Sequence, residues 1–568
     1  MIDANGDATL TSGDGTTTLG YDELDRLTSI DYSGSDTPDT TYTYDALGHR
    51  TQMTDGSGTI DYTYDHLGRL TDATRGTDSF GFDYDENSNL GSITYPDTTS
   101  VSYAYTDEER LHTATSNSQT TTYGYDPAGN LTSTEYPSGN GYTETDTYDK
   151  AGRLTEVKNH AGMSILSKFE YTLDDVGNPL ETIRSGDINQ TTSYDYDDLD
   201  RLKLECLQAS CPLITDPKTT WAYDDVGNRL TQTTTGGTTT YTYNSDDRLT
   251  AAGGTSYSYD DNGNQTAAGT DSYSYDLANR LIQSTVASTT TDCTYDGDGR
   301  RLSTNDGSNT TNYWWNPAST IPQLAVETDG NDDTIRDYTY GLSLNSMITG
   351  GGSPATYYHH HDALGSTADV TNSSGATKIT YTYDAWGNAT AAPISGAPDN
   401  PLQYTGGYAD TTGITHLGAR EYDSTTGRFL QTDPAGIATG STYAYTDDRP
   451  TVSVDPDGLG PIVTANVAQD ENTCPTVKCW ALSDEGQTDL PCSVLAASLV
   501  ATAVEGVVIY REASAVLTQI FTGVARPVVK KAVRMVLFGT IGGVGIGVQD
   551  KLLGGCTPRE LLDHVTGK

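Results

Sequence analysis

The stretch Thr41-Tyr42-Thr43-Tyr44-Asp45-Ala46-Leu47-Gly48-His49-Arg50 decides how the rest of the chain is read. Its first half alternates, so in an extended strand the tyrosines share one face and the threonines the other. Asp45 and Gly48 suit a tight turn, because the carboxylate caps backbone N–H groups and glycine accepts a positive φ. A second strand follows, opening in most copies on Arg or Asn, then Leu and Thr. One such unit is a β-hairpin.

Outward from it the pattern recurs. Gly20-Tyr21-Asp22-Glu23-Leu24-Asp25-Arg26-Leu27, Thr63-Tyr64-Asp65-His66-Leu67-Gly68-Arg69-Leu70 and Gly124-Tyr125-Asp126-Pro127-Ala128-Gly129-Asn130-Leu131 are copies. Others start at Tyr148, Tyr196, Tyr223, Tyr243, Tyr259, Tyr275, Tyr295 and Tyr383, with degenerate ones near Tyr84, Tyr105 and Leu173. Successive tyrosines lie mostly about 16–27 residues apart, within or near the range of stacked structural units. A stacked unit buries its apolar face against its neighbours, which lifts the ~250–300-residue ceiling on a single core. The predicted class is therefore an all-β repeat of hairpins. Around residues 313–345 the strict repeat breaks at Tyr313-Trp314-Trp315-Asn316-Pro317.

The composition agrees. With 59 Gly, 39 Tyr and 34% hydrophobic residues in 568, the chain is too polar for an ordinary α/β enzyme, and its regular aromatics argue against disorder. The net charge of −46, from 32 Lys+Arg against 78 Asp+Glu, opposes phosphate backbones, so the body is not expected to bind nucleic acid. It suits a soluble surface, including one bathed in high salt. There is no Asp-x-Asp-x-Asp-Gly loop with a distal Glu for calcium. Cys206 and Cys211 lie five apart, as do Cys474 and Cys479, spacings that allow local disulfides in an oxidising compartment and match no zinc site. In His359-His360-His361 strand alternation lets only His359 and His361 share a face, an incomplete metal site. Neither a metal nor a cofactor is expected.

A second pattern closes the array. Asp433-Pro434-Ala435-Gly436-Ile437 is answered 22 residues later by Asp455-Pro456-Asp457-Gly458-Leu459, and from Gly460 the character changes. Residues 460–568 carry 9 Lys/Arg and 10 Asp/Glu, net −1, which leaves 23 − 68 = −45 for residues 1–459. Only one tyrosine, Tyr510, falls in this tail. Its apolar runs at Val494–Tyr510 and Met535–Val548, with Thr557-Pro558-Arg559-Glu560 as a capped start, read as a small, mainly α module. Neither run reaches the ~20 charge-free residues of a confident transmembrane helix. A helical pair packed on itself and a membrane-inserting hairpin both stay open. The start, Met1-Ile2-Asp3-Ala4-Asn5-Gly6-Asp7, has neither the basic region nor the apolar run of a secretory leader, and it opens inside a repeat, so upstream sequence is expected.

The repeat resembles the Rhs/YD-repeat family over residues 1–459, and residues 381–459 are similar to its Rhs-associated core. The matching segments include Tyr383-Asp384-Ala385-Trp386-Gly387, Tyr404-Thr405-Gly406-Gly407-Tyr408, Leu417-Gly418-Ala419-Arg420-Glu421-Tyr422-Asp423 and Thr426-Gly427-Arg428-Phe429-Leu430. Asp448-Arg449-Pro450 departs from the family's Asn-Asn-Pro. The resemblance implies a spiralling β-hairpin YD shell, hollow inside, where tyrosine tips can face water. It divides the chain into hairpin repeats at 1–380, the core at 381–459 and a variable C-terminal payload at 460–568. It also implies that the shell cuts its own chain at Leu459–Gly460, with Asp433 and Asp455 as an aspartyl-protease pair and Arg420 at the same site. Two adjacent carboxyls cannot both ionise cheaply, so one keeps a proton while the other activates water. The bare alternative is that Asp-Pro-x-Gly is a type I turn.

Two functions follow from the resemblance. One is a polymorphic toxin shell, secreted or at the cell surface. Its cargo is its own C-terminal domain, and its partners are an immunity protein, delivery machinery or the target membrane. The other is a teneurin-like adhesion protein that binds cell-surface glycans and is not cut.

Overall fold

The computed structural model describes residues 8–11, 15–34, 37–213, 215–434 and 442–463. The tail expected to be mainly α lies outside the described residues from 464 onward, as do Cys474, Cys479, Cys492 and Cys556. Two compact units are distinguished, and each is described by itself: one of residues 1–432 with 443–469, the other of 433–442 with 470–568.

The first unit is built on a 37-stranded antiparallel sheet running from Ala8–Thr11 to Ala389–Pro393, in which every strand pairs with the next in sequence. The repeat explains why. In the strand Thr40–Tyr44, Thr40 and Tyr42 are buried while Thr41 and Thr43 are exposed, the alternation its sequence dictates. The turn after it is closed by its aspartate: Asp45 Oδ1 accepts the N–H groups of Leu47 and His49, both at 2.9 Å. The Gly48 N–H donates to the Asp45 carbonyl at 3.2 Å, at a φ of 93° that glycine adopts without strain. The strand Arg50–Asp55 then pairs back, Tyr44 opposite Arg50, with a bulge at Thr43/Tyr44.

Each unit also grips its neighbours. The repeat tyrosine reaches back one hairpin: the hydroxyls of Tyr44, Tyr64, Tyr125 and Tyr295 donate to the carbonyls of Leu27, Arg50, Leu111 and Leu281. Their polar tips are thus spent on backbone rather than held free for water. The arginine reaches forward: Arg26, Arg69 and Arg280 donate to the carbonyls of Asp45, Asp85 and Asp296 and lie over Tyr44, Tyr84 and Tyr295. Degenerate copies keep this mechanics. Thr106 stands in for the aspartate, its Oγ1 accepting from Glu108 and Arg110. Residues 313–345 are a correction, because the repeat continues there in other residue types. The Trp315 indole N–H donates to the Arg301 carbonyl at 2.7 Å, 14 residues back like Tyr64, and Asn316 caps Ala318 as the aspartate would.

The sheet coils back onto itself after 180 to 255 residues, judging by its cross-seam bonds. One donor at that seam is dictated by the turn. The turn's own bonding leaves only the N–H of the residue after the aspartate unused, and in later turns this group docks on the preceding coil. Leu277 donates to Thr37 Oγ1 at 2.7 Å, Gly297 to Asp55 Oδ2 at 2.6 Å, Ala363 to Tyr171 at 3.1 Å and Ala385 to Glu205 Oε1 at 3.0 Å. In the first coil the same position holds exposed Glu23, Ala46, His66 and Glu86.

The seam carries buried carboxyls. Burial, then the nearby Asp384 charge, pushes Glu205 up to about 8; burial and the Asp97 carboxyl push Asp337 up to about 8. The folded chain therefore keeps protons that unfolded carboxyls release above their ordinary range. The stability they contribute is full in acid and falls as pH rises through about 8. Glu205→Gln is expected to flatten the pH dependence of the melting temperature and to stabilise the fold at alkaline pH by ~1–3 kcal/mol. Melts across the acid-to-alkaline range read this directly, and an unchanged slope would remove Glu205 from the seam's pH response.

Cys206 and Cys211 form a disulfide, and Cys293 is a buried thiol. After the long sheet, Tyr408–Ala409, Thr415–Leu417, Arg420–Asp423 and Arg428–Phe429 form a four-stranded antiparallel sheet that belongs to the closing segment.

Candidate active site

The closing sheet presents the tight turn Leu417-Gly418-Ala419-Arg420, and the Asp455–Pro461 loop sits on it. This loop is the tip of a hairpin, with Ser453 opposite Val463 and Val454 opposite Ile462. The Ala419 N–H donates to the Asp457 carbonyl at 2.8 Å. Gly418, at φ 57°, has no room for a side chain: a Cβ there would stand 2.6 Å from the Asp457 carbonyl oxygen. Gly458, at φ 69°, is equally confined, because a Cβ would collide with the Leu417 carbonyl and the Arg420 nitrogen. The glycine of Asp-Pro-x-Gly is therefore required by close approach as well as by backbone conformation.

Arg420 and Asp455 meet in this contact, 2% and 1% exposed. Arg420 Nη2 lies 2.9 Å from Asp455 Oδ2, and its Nε donates to the Gly458 carbonyl at 2.5 Å. The guanidinium stacks on Phe429 with Cζ 3.6 Å from the ring centroid. The other oxygen of Asp455, Oδ1, accepts the Gly460 N–H at 3.0 Å. Asp455 thus touches the arginine with one oxygen and, with the other, the nitrogen of the Leu459–Gly460 peptide bond. Gly460 is buried and Leu459 half-buried.

Asp457 joins them, a residue the sequence reading did not single out. Its Oδ1 accepts the Leu459 N–H at 3.0 Å, and its carboxyl makes a hydrogen-bonding contact with that of Asp455. Burial first, then the Asp455 charge, raises it to about 6. The Asp-x-Asp spacing was visible in Asp455-Pro456-Asp457; that the loop folds both carboxyls to one side was not. Asp433 lies in the second unit. It is 5% exposed and its N–H donates to the Thr442 carbonyl at 2.9 Å, while Ala435, Gly436 and Ile437 are outside the described residues.

The other singled-out residues have structural work. The rings of His359 and His361 are parallel-stacked with centroids 6.5 Å apart, the shared face that alternation predicts. His359 Nε2 pairs with Asn400 Oδ1 at 3.0 Å, and His360 reaches Asn159 Oδ1 at 3.3 Å and Thr371 Oγ1 at 2.9 Å. Burial holds His359 at about 4 and His361 at about 3, so both rings are neutral core. Asp448 adopts φ 63°, a conformation Asn and Asp both tolerate. Burial raises its carboxyl to about 7 against the pull of Arg229 and Arg428.

Fold and site define a hairpin-repeat β-protein whose closing segment holds a buried arginine–carboxylate cluster on its own backbone. The chain belongs to the Teneurin YD-shell family, whose profile matches residues 7–115 and 142–445, with an RHS Repeat match at 110–140. It is similar to the tRNA3(Ser)-specific nuclease WapA of Bacillus spizizenii, 29% identical over 298 residues, covering 51% of this chain and 11% of that protein. It is also similar to the Double-stranded DNA deaminase toxin A of Burkholderia cenocepacia, 36% identical over 107 residues, covering 18% of this chain and 8% of that protein. The chain spans about a tenth of the length of these curated relatives. Among solved structures, the TcdB2-TccC3 crystal structure superposes with a TM-score of 0.65 at 17% identity, over 81% of this chain and 27% of that one. The Photorhabdus luminescens Tc holotoxin pore gives 0.56 at 16% identity, over 80% and 30%. These two show the shared fold.

Proposed function

We propose that this chain is the carrier shell of a toxin, that residues 460–568 are its cargo, and that it frees them by cutting itself at Leu459–Gly460. The observation that carries this reading is the 3.0 Å hydrogen bond from the Gly460 N–H to Asp455 Oδ1, with Arg420 bound to the other oxygen. A turn needs a capping oxygen, but it does not need a fully buried arginine–carboxylate pair against one particular amide. Toxin-named relatives and the Tc toxin fold support the class.

In the proposed reaction water adds to the Leu459 carbonyl carbon, the C–N bond breaks, and a proton reaches the Gly460 nitrogen through Asp455. Arg420 and the Gly458 carbonyl it grips hold the peptide in place. Asp433 takes the role of the water-activating carboxylate on the strength of the family resemblance. After the cut, the described residues beyond Gly460 keep a short ladder to the shell, Val454 with Ile462 and Ser453 with Val463, and a ladder this short lets the cargo leave. Secretion or display at a cell surface, delivery machinery and an immunity partner belong to the same reading.

Intact-mass measurement and a denaturing gel test it. Wild type is expected to appear as fragments 1–459 and 460–568, and Asp433→Asn as one uncut chain. A wild type that stays whole overturns self-cleavage, and binding of such an uncut shell to a glycan array would instead favour adhesion.

A further inference from the structure

Cleavage at Leu459–Gly460 needs a proton that the partners of Asp455 do not supply. Asp455 is already engaged on both oxygens, by the Arg420 guanidinium on Oδ2 and by the Gly460 N–H on Oδ1. Both partners are hydrogen-bond donors, and neither is an acid that would hand Asp455 a proton to pass on. Yet the departing Gly460 nitrogen needs one as its bond to carbon breaks. A second carboxyl, that of Asp457, stands two residues from Asp455 in the same loop.

Asp457 is held there by backbone. Its carbonyl accepts the Ala419 N–H at 2.8 Å and its Oδ1 accepts the Leu459 N–H at 3.0 Å, so the side chain is fixed on the loop that contains the bond. Its carboxyl contacts that of Asp455, whose charge acts on it, and Arg420 Nη2 reaches Asp455 Oδ2 at 2.9 Å. Tyr445, buried beside Asp455, is neutral because burial pushes its hydroxyl up.

We infer that Asp457 is a positioning residue for this site: its carboxyl stores the proton that Asp455 hands to the Gly460 nitrogen. The proposal rests on the cleavage reading and deepens it. Water's oxygen bonds to the Leu459 carbonyl carbon and its proton passes to the base, the role given to Asp433. The C–N bonding pair leaves on the Gly460 nitrogen; the Asp457 carboxyl passes its proton to Asp455, Asp455 passes it to that nitrogen, and Asp457 is left as the carboxylate. No oxidant, metal or further reactant enters. Burial and the Asp455 charge raise Asp457 to about 6, so the store is filled in mild acid and empties as pH rises through that value.

The test uses the full chain, kept uncut in denaturant, folded by dilution into buffers spanning mildly acid to mildly alkaline pH, and quenched for gel densitometry. Wild type is expected to cut fastest in mild acid and to slow as pH rises through about 6. Asp457→Asn keeps an oxygen for the Leu459 N–H but stores no proton, so it is expected to cut at least ~10-fold more slowly in mild acid with that pH limb gone. Asp457→Glu is expected to restore both the rate and the limb in part. If Asp457→Asn melts well below wild type, Asp457→Ser, which also keeps a capping oxygen, takes its place. A wild-type rate and pH profile in the Asn or Ser variant overturns the role of Asp457 alone. A wild type uncut at every pH overturns the cleavage reading beneath it.

Discussion

Asp455→Asn is expected to leave Leu459–Gly460 whole, cutting ~10²–10⁴-fold more slowly than wild type, the usual loss on removing a general acid–base group. The substitution keeps the size of the side chain and an oxygen to accept the Gly460 N–H, now made at 3.0 Å. What it removes is the negative charge facing Arg420 at 2.9 Å and the capacity to carry a proton. Because both side chains are almost fully buried, the variant also leaves a guanidinium without its counter-charge, and truncating one member of such a pair costs ~3–5 kcal/mol. Asparagine recovers part of that through its amide oxygen. Stability and chemistry are therefore separated by melting the variant alongside Arg420→Met, which removes the charge from the other side. Were Asp455→Asn cut at the wild-type rate, Asp455 would be a turn cap and nothing more. Were it uncut but unfolded, Arg420→Met paired with Asp455→Asn would restore packing and show whether cutting returns.

The hairpin repeat was legible because its determinants are local. Tyrosine and threonine alternate by strand geometry, and the aspartate and glycine of each turn are separated by fewer than five residues, so the pattern survives in the sequence. The break read at Trp315 was a break of letters only. Tryptophan carries an N–H at a reach close to that of the tyrosine hydroxyl, and a search for Tyr-Asp misses a donor in another residue type. The seam was hidden for a different reason. Its bonds join residues 180 or more apart, such as Ala385 to Glu205. Its one sequence trace is the residue after each aspartate, charged or polar in most first-coil turns and small or apolar in Leu277, Gly297, Ala363 and Ala385. At the site, Asp433, Arg420, Asp455, Leu459 and Gly460 were reachable through the family resemblance; in the structure Arg420 bonds Asp455, which accepts the Gly460 N–H, while Asp433 falls in the second unit. Asp457 was hidden because Asp-Pro-Asp-Gly explains itself as a turn, and nothing local shows that Gly418 lets the loop settle close enough to bring the two carboxyls together.

The largest single loss of stability is expected from Arg301, which ties the repeat sheet to the closing segment. It is fully buried, and both terminal nitrogens bind Asp410, 109 residues on, at 2.7 and 3.1 Å. Its guanidinium lies between the rings of Tyr313 and Tyr408, 5.1 and 5.2 Å from their centroids. The Asp410 carboxylate is 18% exposed and keeps some contact with water, whereas the guanidinium has none. The two truncations are consequently unequal in kind. Arg301→Met fills most of the volume but strands a partly hydrated carboxylate, and is expected to cost ~3–5 kcal/mol. Asp410→Asn strands a buried cation, but Glu421, held 2.8 Å from His416, still offers Arg301 a negative neighbour, and so a smaller loss of ~2–3 kcal/mol is expected. The double variant Arg301→Met with Asp410→Leu removes both charges at similar volume, and is expected to recover at least ~1–2 kcal/mol relative to additivity. Denaturant titrations of the four proteins, followed by far-ultraviolet circular dichroism, measure the coupling. Single variants within ~0.5 kcal/mol of wild type would mean that the pair is incidental to how the closing segment holds to the sheet.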